Sequence, residues 1–197
     1  MKNEKLHELI QQNNGVLNAS TARIMGFDNK VLQRLEASGE LERIGRGLYI
    51  DSDYMRDEYL LAQYRCRKGI FSHETALFFH ELSDRTPMQL MMTIPNGYNT
   101  RIMKDTEHYR FFYLTNDKLG LGITTMRTSY GNEVAVYDKE RTICDCIRNK
   151  NKLDSDIVVA AVKRYMKEKE ANYSKLLNFA ETFRIRDAVK QYMEVLT

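Results

Sequence analysis

A lone arginine stands between two glycines in the stretch LERIGRGLYI, residues 41–50. Glycine supplies the positive φ that a tight hairpin turn needs, so this stretch predicts two short strands joined at Gly45, Arg46 and Gly47. An arginine at such a tip is either solvated or in contact with an anion. In the second case the hairpin is the wing of a winged helix-turn-helix, and Arg46 contacts the phosphate backbone or the minor groove of DNA.

Residues that could read base edges precede this hairpin. Residues 28–38 are predicted to form a helix whose apolar face carries Val31, Leu32 and Leu35. Arginine pairs with guanine through two hydrogen bonds, and asparagine or glutamine pairs with adenine in the same way. We therefore expect the opposite helix face to enter the major groove, where a lysine can bind a base or a phosphate. The four residues expected on that face are Asn29, Lys30, Gln33 and Arg34.

Contacts with the DNA backbone are expected from a second group of residues. Ser20, Thr21 and Arg23 lie at the start of the preceding predicted helix, where hydroxyl groups, a helix N-terminus and a cation suit an anion. Arg43 and Arg46 extend this footprint into the hairpin. Both groups together define the predicted DNA-binding surface.

The elements that must position these residues follow the helix-turn-helix pattern. Its two helices approach closely, so the pattern needs a small residue in the first helix, a glycine in the turn and apolar residues at fixed offsets. Cations barely outnumber anions in residues 1–50, so attraction to phosphate requires the cations to lie on one face. A winged helix used for protein contacts therefore remains an alternative. Counted from Asn18, the pattern positions are Ala22, Met25, Gly26, Phe27, Leu32 and Leu35.

The rest of the chain predicts helices around a small sheet. Residues 54–69 predict a helix with Tyr54, Leu61 and Ala62 on its apolar face, and Ser72 is expected to cap a second helix. β-branched and aromatic runs predict four strands, and helical periodicity then returns. The strands are expected at residues 89–95, 109–115, 122–128 and 133–138, and the later helices at 139–148, 155–169, 174–183 and 186–196, with Val158, Ala161, Val162 and Tyr165 forming one apolar stripe.

The predicted fold class is therefore α+β. A winged helix-turn-helix domain at residues 1–52 precedes a larger α+β domain at residues 53–197, which has a small, mostly antiparallel sheet and C-terminal helices. The 197 residues suffice for two cores, and the net charge of +3 permits nucleic-acid binding without establishing it. No apolar run approaches the roughly 18 residues of a membrane span. Three cysteines cannot all pair, and the N-terminus lacks a signal-peptide layout, so we expect a cytoplasmic protein.

The candidates for catalysis or metal binding have unsuitable spacing. His73 and His80 are seven residues apart, about 10 Å along a helix, whereas zinc hydrolases place two histidines four residues apart. His73 is expected in the first turn of its helix and His80 beside Phe79, partly buried. Cys144 and Cys146 are two residues apart on a predicted helix, so their side chains diverge by about 200° and cannot bind one metal ion together. We therefore interpret them as small core residues. We expect no catalytic residue, no metal and no cofactor.

Five cations in the predicted C-terminal helices form a loose basic group. Such a group is more often a solvated helix face, but it could extend the DNA contact as a second path. The five residues are Lys150, Lys152, Lys163, Arg164 and Lys167.

Several stretches resemble the AbiEi-type antitoxins of bacterial type IV toxin-antitoxin systems, which act in abortive infection and phage defence. They are RIGRGLYI, then IFSHETALFFHELSDRTP with MMTIP downstream, then VAVYDKERTICDCIR. The likeness spans most of residues 5–150 in the order found in that family. Many relatives have serine where this chain has Thr75, a change with the same packing role.

This resemblance implies an autorepressor with an attached antitoxin domain. The winged helix would bind inverted repeats in the promoter of its own operon. Two copies are expected on such a repeat, one on each half-site, and because no heptad pattern is present to hold a dimer in solution, we expect the free protein to be a monomer. The C-terminal domain would neutralise a nucleotidyltransferase-like toxin without a stable complex. The resemblance supplies no catalytic residue. Two alternatives remain: a nucleic-acid-processing enzyme whose winged helix recruits substrate, or a module that binds the toxin directly.

Overall fold

The structure, a computed structural model, describes residues 2–99 and 101–196. Its backbone divides into two compact units, one extending to Leu61 and the other beginning at Ala62. The boundary expected from the sequence, between residues 52 and 53, lies before this division. Within the described ranges, no helix is long and apolar enough to cross a lipid bilayer.

The first unit has the architecture of a winged helix-turn-helix. Three helices accompany a three-stranded antiparallel sheet in which the strand order is β1-β3-β2. Both helices of the predicted helix-turn-helix and the hairpin are present, whereas the first strand was not predicted. The elements are α1 (Lys2–Gln12), β1 (Val16–Asn18), α2 (Ala19–Ile24), α3 (Asn29–Ala37), β2 (Leu41–Gly45) and β3 (Leu48–Asp51).

The core of this unit joins the three helices to the sheet. Ala22 has no exposed surface, as expected for a small residue where two helices meet, and Phe27, Leu32 and Leu35 are buried too. Met25 differs from the prediction, because 54% of its surface is exposed. The reason is that α2 ends at Ile24: Met25 is the C-cap, and its N–H donates to the Thr21 carbonyl.

Tyr54 also departs from the prediction. The helix expected from residue 54 begins only at Glu58 (α4, Glu58–Arg65). A turn intervenes, in which the Asp53 N–H donates to the Asp51 carboxylate at 2.9 Å and the Tyr54 N–H donates to the Asp51 carbonyl at 3.1 Å. This turn places the Tyr54 ring over Gly15, where a Cβ would clash with it.

The second unit contains a five-stranded sheet with the order β6-β5-β4-β8-β7. Two strand pairs are parallel, β5 with β6 and β4 with β8, and two are antiparallel. The sheet is thus mixed, not mostly antiparallel, because β6 runs parallel to β5 and β8 runs parallel to β4. Its strands are β4 (Ile70–Phe71), β5 (Leu90–Pro95), β6 (Tyr109–Leu114), β7 (Ile123–Arg127) and β8 (Glu133–Tyr137).

Helices complete the second unit, and the α+β class is confirmed. The stripe of Val158, Ala161, Val162 and Tyr165 is buried as predicted, and so are the two free thiols Cys144 and Cys146. The remaining helices are α5 (His73–Phe79), α6 (Asn116–Leu119), α7 (Lys139–Arg148), α8 (Ser155–Lys167), α9 (Tyr173–Thr182) and α10 (Arg186–Leu196), with 3-10 helices at Arg101–Lys104 and Lys150–Lys152.

Candidate nucleic-acid interface

Helix α3 presents one polar face that carries no carboxylate. Its inner side is fixed by Leu32 and Leu35, and its start by Asp28, whose carboxylate accepts the Val31 N–H at 3.0 Å. At 3.6 residues per turn, the exposed side chains occupy an arc of about 140°, with half-buried Glu36 just outside it. The exposed residues in this arc are Asn29, Lys30, Gln33, Arg34 and Ala37.

A contact between α2 and α3 brings two of the predicted residues together. The Arg23 guanidinium donates to the Asn29 side-chain oxygen at 3.4 Å. Beside this contact lies a shallow cleft of about 500 Å³. A predicted backbone-contacting residue therefore adjoins a predicted base-reading residue. The cleft is lined by Arg23, Gly26, Phe27, Asp28, Asn29 and Lys30.

Ser20 and Thr21 differ in the hydrogen bonds that they can offer a phosphate. The Asn18 side-chain oxygen caps α2 and accepts both the Ser20 N–H at 2.9 Å and the Ser20 hydroxyl at 2.6 Å. The Ser20 hydroxyl proton is therefore already engaged, and a phosphate would have to displace Asn18. Thr21 is exposed on the same helix. Sequence reasoning did not identify this role of Asn18, although asparagine before a helix is a known signal for an N-cap.

The wing carries Arg46 at its exposed tip. Of the two flanking glycines only Gly47 has a positive φ, +67°, whereas Gly45 belongs to β2. The register of the hairpin shifts between Arg43 and Gly45, and the Arg43 guanidinium donates to the Gly45 carbonyl at 3.3 Å. At the tip, the Ala19 N–H donates to the Gly47 carbonyl at 2.8 Å. The wing turn is thus hydrogen-bonded to the first residue of α2.

Charge in the first unit is partly segregated, and a DNA-binding surface requires its cations to lie on one face. Within the described ranges, the cations Lys30, Arg34 and Arg46 form no ion pair. A separate pocket of about 170 Å³ collects three carboxylates, and it lies on the inner side of α3, since Leu35 lines it. Carboxylates also lie outside this pocket: Asp28 lines the cleft beside Lys30, Glu36 borders the arc of α3, and Glu42 on β2 binds Arg56. The acidic pocket is lined by Leu6, His7, Ile10, Leu35, Glu40, Leu41, Asp51 and Asp53.

The five C-terminal cations do not form one group. Lys150 and Lys152 lie on the 3-10 helix before α8, and Lys150 lies 5.8 Å from the centroid of the Tyr192 ring. Lys163 lies eight residues after Ser155, the first residue of α8, which corresponds to about 12 Å along the helix axis. Arg164 binds the Asp84 carboxylate. All five side chains are exposed, but they present two separate places to a partner: Lys150 and Lys152, and Lys163, Arg164 and Lys167.

The histidines and Ser72 have structural partners. Ser72 stands at the N-cap of α5 but makes no capping bond with its side chain, contrary to the prediction, because its hydroxyl accepts that of Thr93 at 2.8 Å. His73 is fully buried and stacks on Phe112 with ring centroids 3.5 Å apart. His80 is buried, with its Nε2 2.6 Å from the Tyr137 carbonyl.

His108, in contrast, is exposed and binds Asp105. The pairing of His73 with Asn149, with 3.0 Å between their side-chain nitrogens, links distant segments and has no sequence signal. In the part of the chain that the structure describes, no three histidine, cysteine or acidic side chains could hold a metal ion.

Comparison with known proteins finds a family match within the first unit. Residues 4–50 match a family model described as a transcriptional regulator, AbiEi antitoxin, so the family resemblance is confirmed for the N-terminal segment that contains RIGRGLYI. No curated protein gives a significant match to the chain.

A solved structure shares the fold. The chain is similar to the crystal structure of the RV2827C protein from Mycobacterium tuberculosis, with a TM-score of 0.65 and 10% sequence identity. The similarity covers 96% of this chain and 78% of the other. At this identity the comparison concerns the fold alone.

Proposed function

We propose that this protein represses its own toxin-antitoxin operon by binding inverted repeats in the promoter. The proposal is based first on the match of the N-terminal segment to the AbiEi antitoxin transcriptional regulators. The observation that carries the proposal is the carboxylate-free arc of α3, together with the exposed arginine at the wing tip. Base edges in the major groove offer hydrogen-bond groups that the arc can pair with, and the wing adds a cation for the backbone. Binding to an operator on the chromosome also requires the protein to be in the cytoplasm.

Each residue has a role in this proposal. Arg34 and Asn29 read guanine and adenine, and Gln33 offers the same two-bond pairing as Asn29. Lys30 lies at the edge of the cleft, where it binds a base or a phosphate. The backbone is contacted by Ser20, Thr21, Arg23, Arg43 and Arg46.

The test is a mobility-shift titration of a promoter fragment with the full-length protein. Replacing Arg34 by alanine is expected to cost about 1–3 kcal/mol and to relax the preference at one base position. Replacing Arg46 by alanine is expected to weaken binding evenly across sequences and to reduce the salt slope by about 1. Arg127→Ala, at an exposed arginine of the second unit, is the matched control. If Arg34→Ala and Arg46→Ala bind like the parent, the proposed interface is wrong.

Two copies of the protein are proposed to occupy one operator. An inverted repeat presents two equivalent half-sites, so its two-fold symmetry is met by one copy on each. Sedimentation of the free protein should give a monomer, and of the operator complex two copies per duplex. A stable dimer in solution, or one copy on the full inverted repeat, would contradict this stoichiometry.

We also propose that the second unit neutralises a nucleotidyltransferase-like toxin without forming a stable complex. The support is the family description as an antitoxin and the position of the family match, residues 4–50, outside the second unit. Co-expression with the toxin should restore growth, while affinity purification of either protein should not retain the other. Retention of the toxin on the tagged protein would favour the alternative of direct binding.

A further inference from the structure

Two large apolar side chains are exposed at the corner between α2 and α3. Ile24 is 85% exposed and Met25 is 54% exposed. Ile24 follows Ser20 by four residues, so the side chains of Ile24 and Ser20 project from the same face of α2, whereas buried Ala22 lies on the opposite face. Single apolar residues are common on surfaces, but this pair is contiguous and continues a surface that is otherwise polar and basic.

The surroundings of this pair favour a polyanion as its partner. Arg23 precedes it and bonds to Asn29, and Lys30 lines the adjoining cleft. Two cations that line one cleft therefore lie next to the apolar pair. A nucleic acid offers phosphates for these cations and apolar groups between them, and the polar arc of α3 begins at the same corner.

We propose that Ile24 and Met25 contact thymine methyl groups in the major groove of the operator. The thymine C5-methyl is the apolar group that base edges present there, and an aliphatic side chain reads it by contact. The pair would thus specify T·A base pairs next to the positions read by Asn29. This inference rests on the proposed function, because it assumes that α3 enters the major groove.

The experiment compares two versions of one promoter fragment, amplified with either dTTP or dUTP. Uracil keeps the hydrogen-bond groups of thymine and lacks its methyl group. The full-length protein should bind the uracil fragment about four-fold more weakly for each thymine methyl group that the pair buries. The double variant Ile24→Ala with Met25→Ala should bind both fragments equally, and as weakly as the wild type binds the uracil fragment.

The control variant is Met88→Ala, because Met88 is a 96% exposed methionine in the second unit. It should keep the full preference for the thymine fragment. Both replaced residues of the double variant are exposed, so its thermal unfolding should match that of the wild type. Its salt slope should also be unchanged, because no phosphate contact is removed.

Three results would overturn the inference. The double variant could keep the wild-type preference for thymine, or the wild type could bind both fragments equally while Arg34→Ala still weakens binding. In the second case the proposed function stands and this inference alone fails. Third, the double variant could lose only the cooperativity between two bound copies, which would assign the pair to a contact between proteins. Binding of neither fragment by the wild type would reject both proposals.

Discussion

Arg141 is a cation with no exposed surface, and it shows how single residues of the second unit are held. Its guanidinium carbon lies 4.0 Å from the centroid of the Tyr137 ring and 4.3 Å from that of Phe183. Its Nε donates to the Asp145 carboxylate at 3.0 Å. Burial raises the pKa of Asp145, and the contacts of its carboxylate with the guanidinium groups of Arg141 and Arg148 oppose this rise.

Replacing Asp145 by asparagine should therefore destabilise the protein strongly. The change leaves the charge of Arg141 buried without its partner, which typically costs about 3–5 kcal/mol. The control is Glu133→Gln, which breaks an exposed ion pair with Arg127 and should cost less than about 1 kcal/mol. Urea unfolding of the full-length protein measures both, and equal losses in the two variants would contradict the prediction.

His73 is a neutral buried histidine whose tautomer is set by its neighbour. The Asn149 amide nitrogen donates to the Asp145 carbonyl at 3.1 Å, which orients the amide and makes the same nitrogen donate to His73 Nε2 at 3.0 Å. The histidine proton is thus on Nδ1, 2.9 Å from the Ser72 hydroxyl oxygen. Burial, and then the charge of Arg148, lowers the pKa of His73 well below 6.5.

Stability should consequently fall in acid. Because the pKa of His73 is lowered in the folded state, the unfolded chain binds more protons than the folded protein in acid. The contribution of neutral His73 to the free energy of unfolding is therefore complete above about pH 6.5. Below that pH it declines by at most about 1.4 kcal/mol per pH unit. Burial lowers the pKa of His80 and acts in the same direction. Urea unfolding at pH 7.5, 6.5 and 5.5 should show a shallower decline for His73→Gln than for the wild type. Parallel declines would contradict this role for His73.

At the scale of an element, α3 begins with a residue that serves the helix and opposes its proposed function. The Asp28 carboxylate caps the helix, yet its negative charge lies in the cleft of the proposed interface. Asparagine caps a helix as well as aspartate does. Asp28→Asn should therefore keep the thermal stability and tighten operator binding several-fold at low salt. Asp28→Ala should lower stability by about 1 kcal/mol. Weaker operator binding by Asp28→Asn would show that the carboxylate takes part in recognition.

Elements with enough residues to show a period were predictable from sequence. The periodicity places α7 and α10 at residues 139–148 and 186–196, where they are found. β1 and β4 contain three and two residues, too few for alternation to appear. Each exists because of a distant partner, as when Val16 pairs with Ile50 and Phe71 with Val136. Such pairing belongs to the tertiary fold and not to the local sequence.

The candidate interface was predictable in residue type and helix face, but not in its local bonds. Apolar spacing in α3 predicts the exposed positions of Asn29 and Arg34, and both are exposed. The hydrogen bond from Arg23 to Asn29 depends on how two helices meet. The outward position of Met25 depends on α2 ending one residue earlier than the pattern assumes. Neither is encoded in spacing alone, because both arise from packing.

At the scale of the whole molecule, the two compact units predict two separable activities. A chain carrying both Arg34→Ala and Arg46→Ala should lose repression of a promoter reporter and still protect cells from the toxin. Both side chains are exposed, so their loss leaves the core of the first unit intact. The parent chain and Arg127→Ala serve as controls. Loss of protection at equal protein level would show that DNA binding and toxin neutralisation share this surface.

The bond from the Ala19 N–H to the Gly47 carbonyl has a consequence for the operator itself. It ties the wing turn to the first residue of α2, and α2 in turn contacts α3 through Arg23 and Asn29. The bases contacted by α3 and the phosphate contacted by the wing must then be separated by a fixed number of base pairs, so that both face the protein. An added base pair between them would rotate one contact by about 34° around the duplex axis, so each half-site should tolerate base changes better than a change of length.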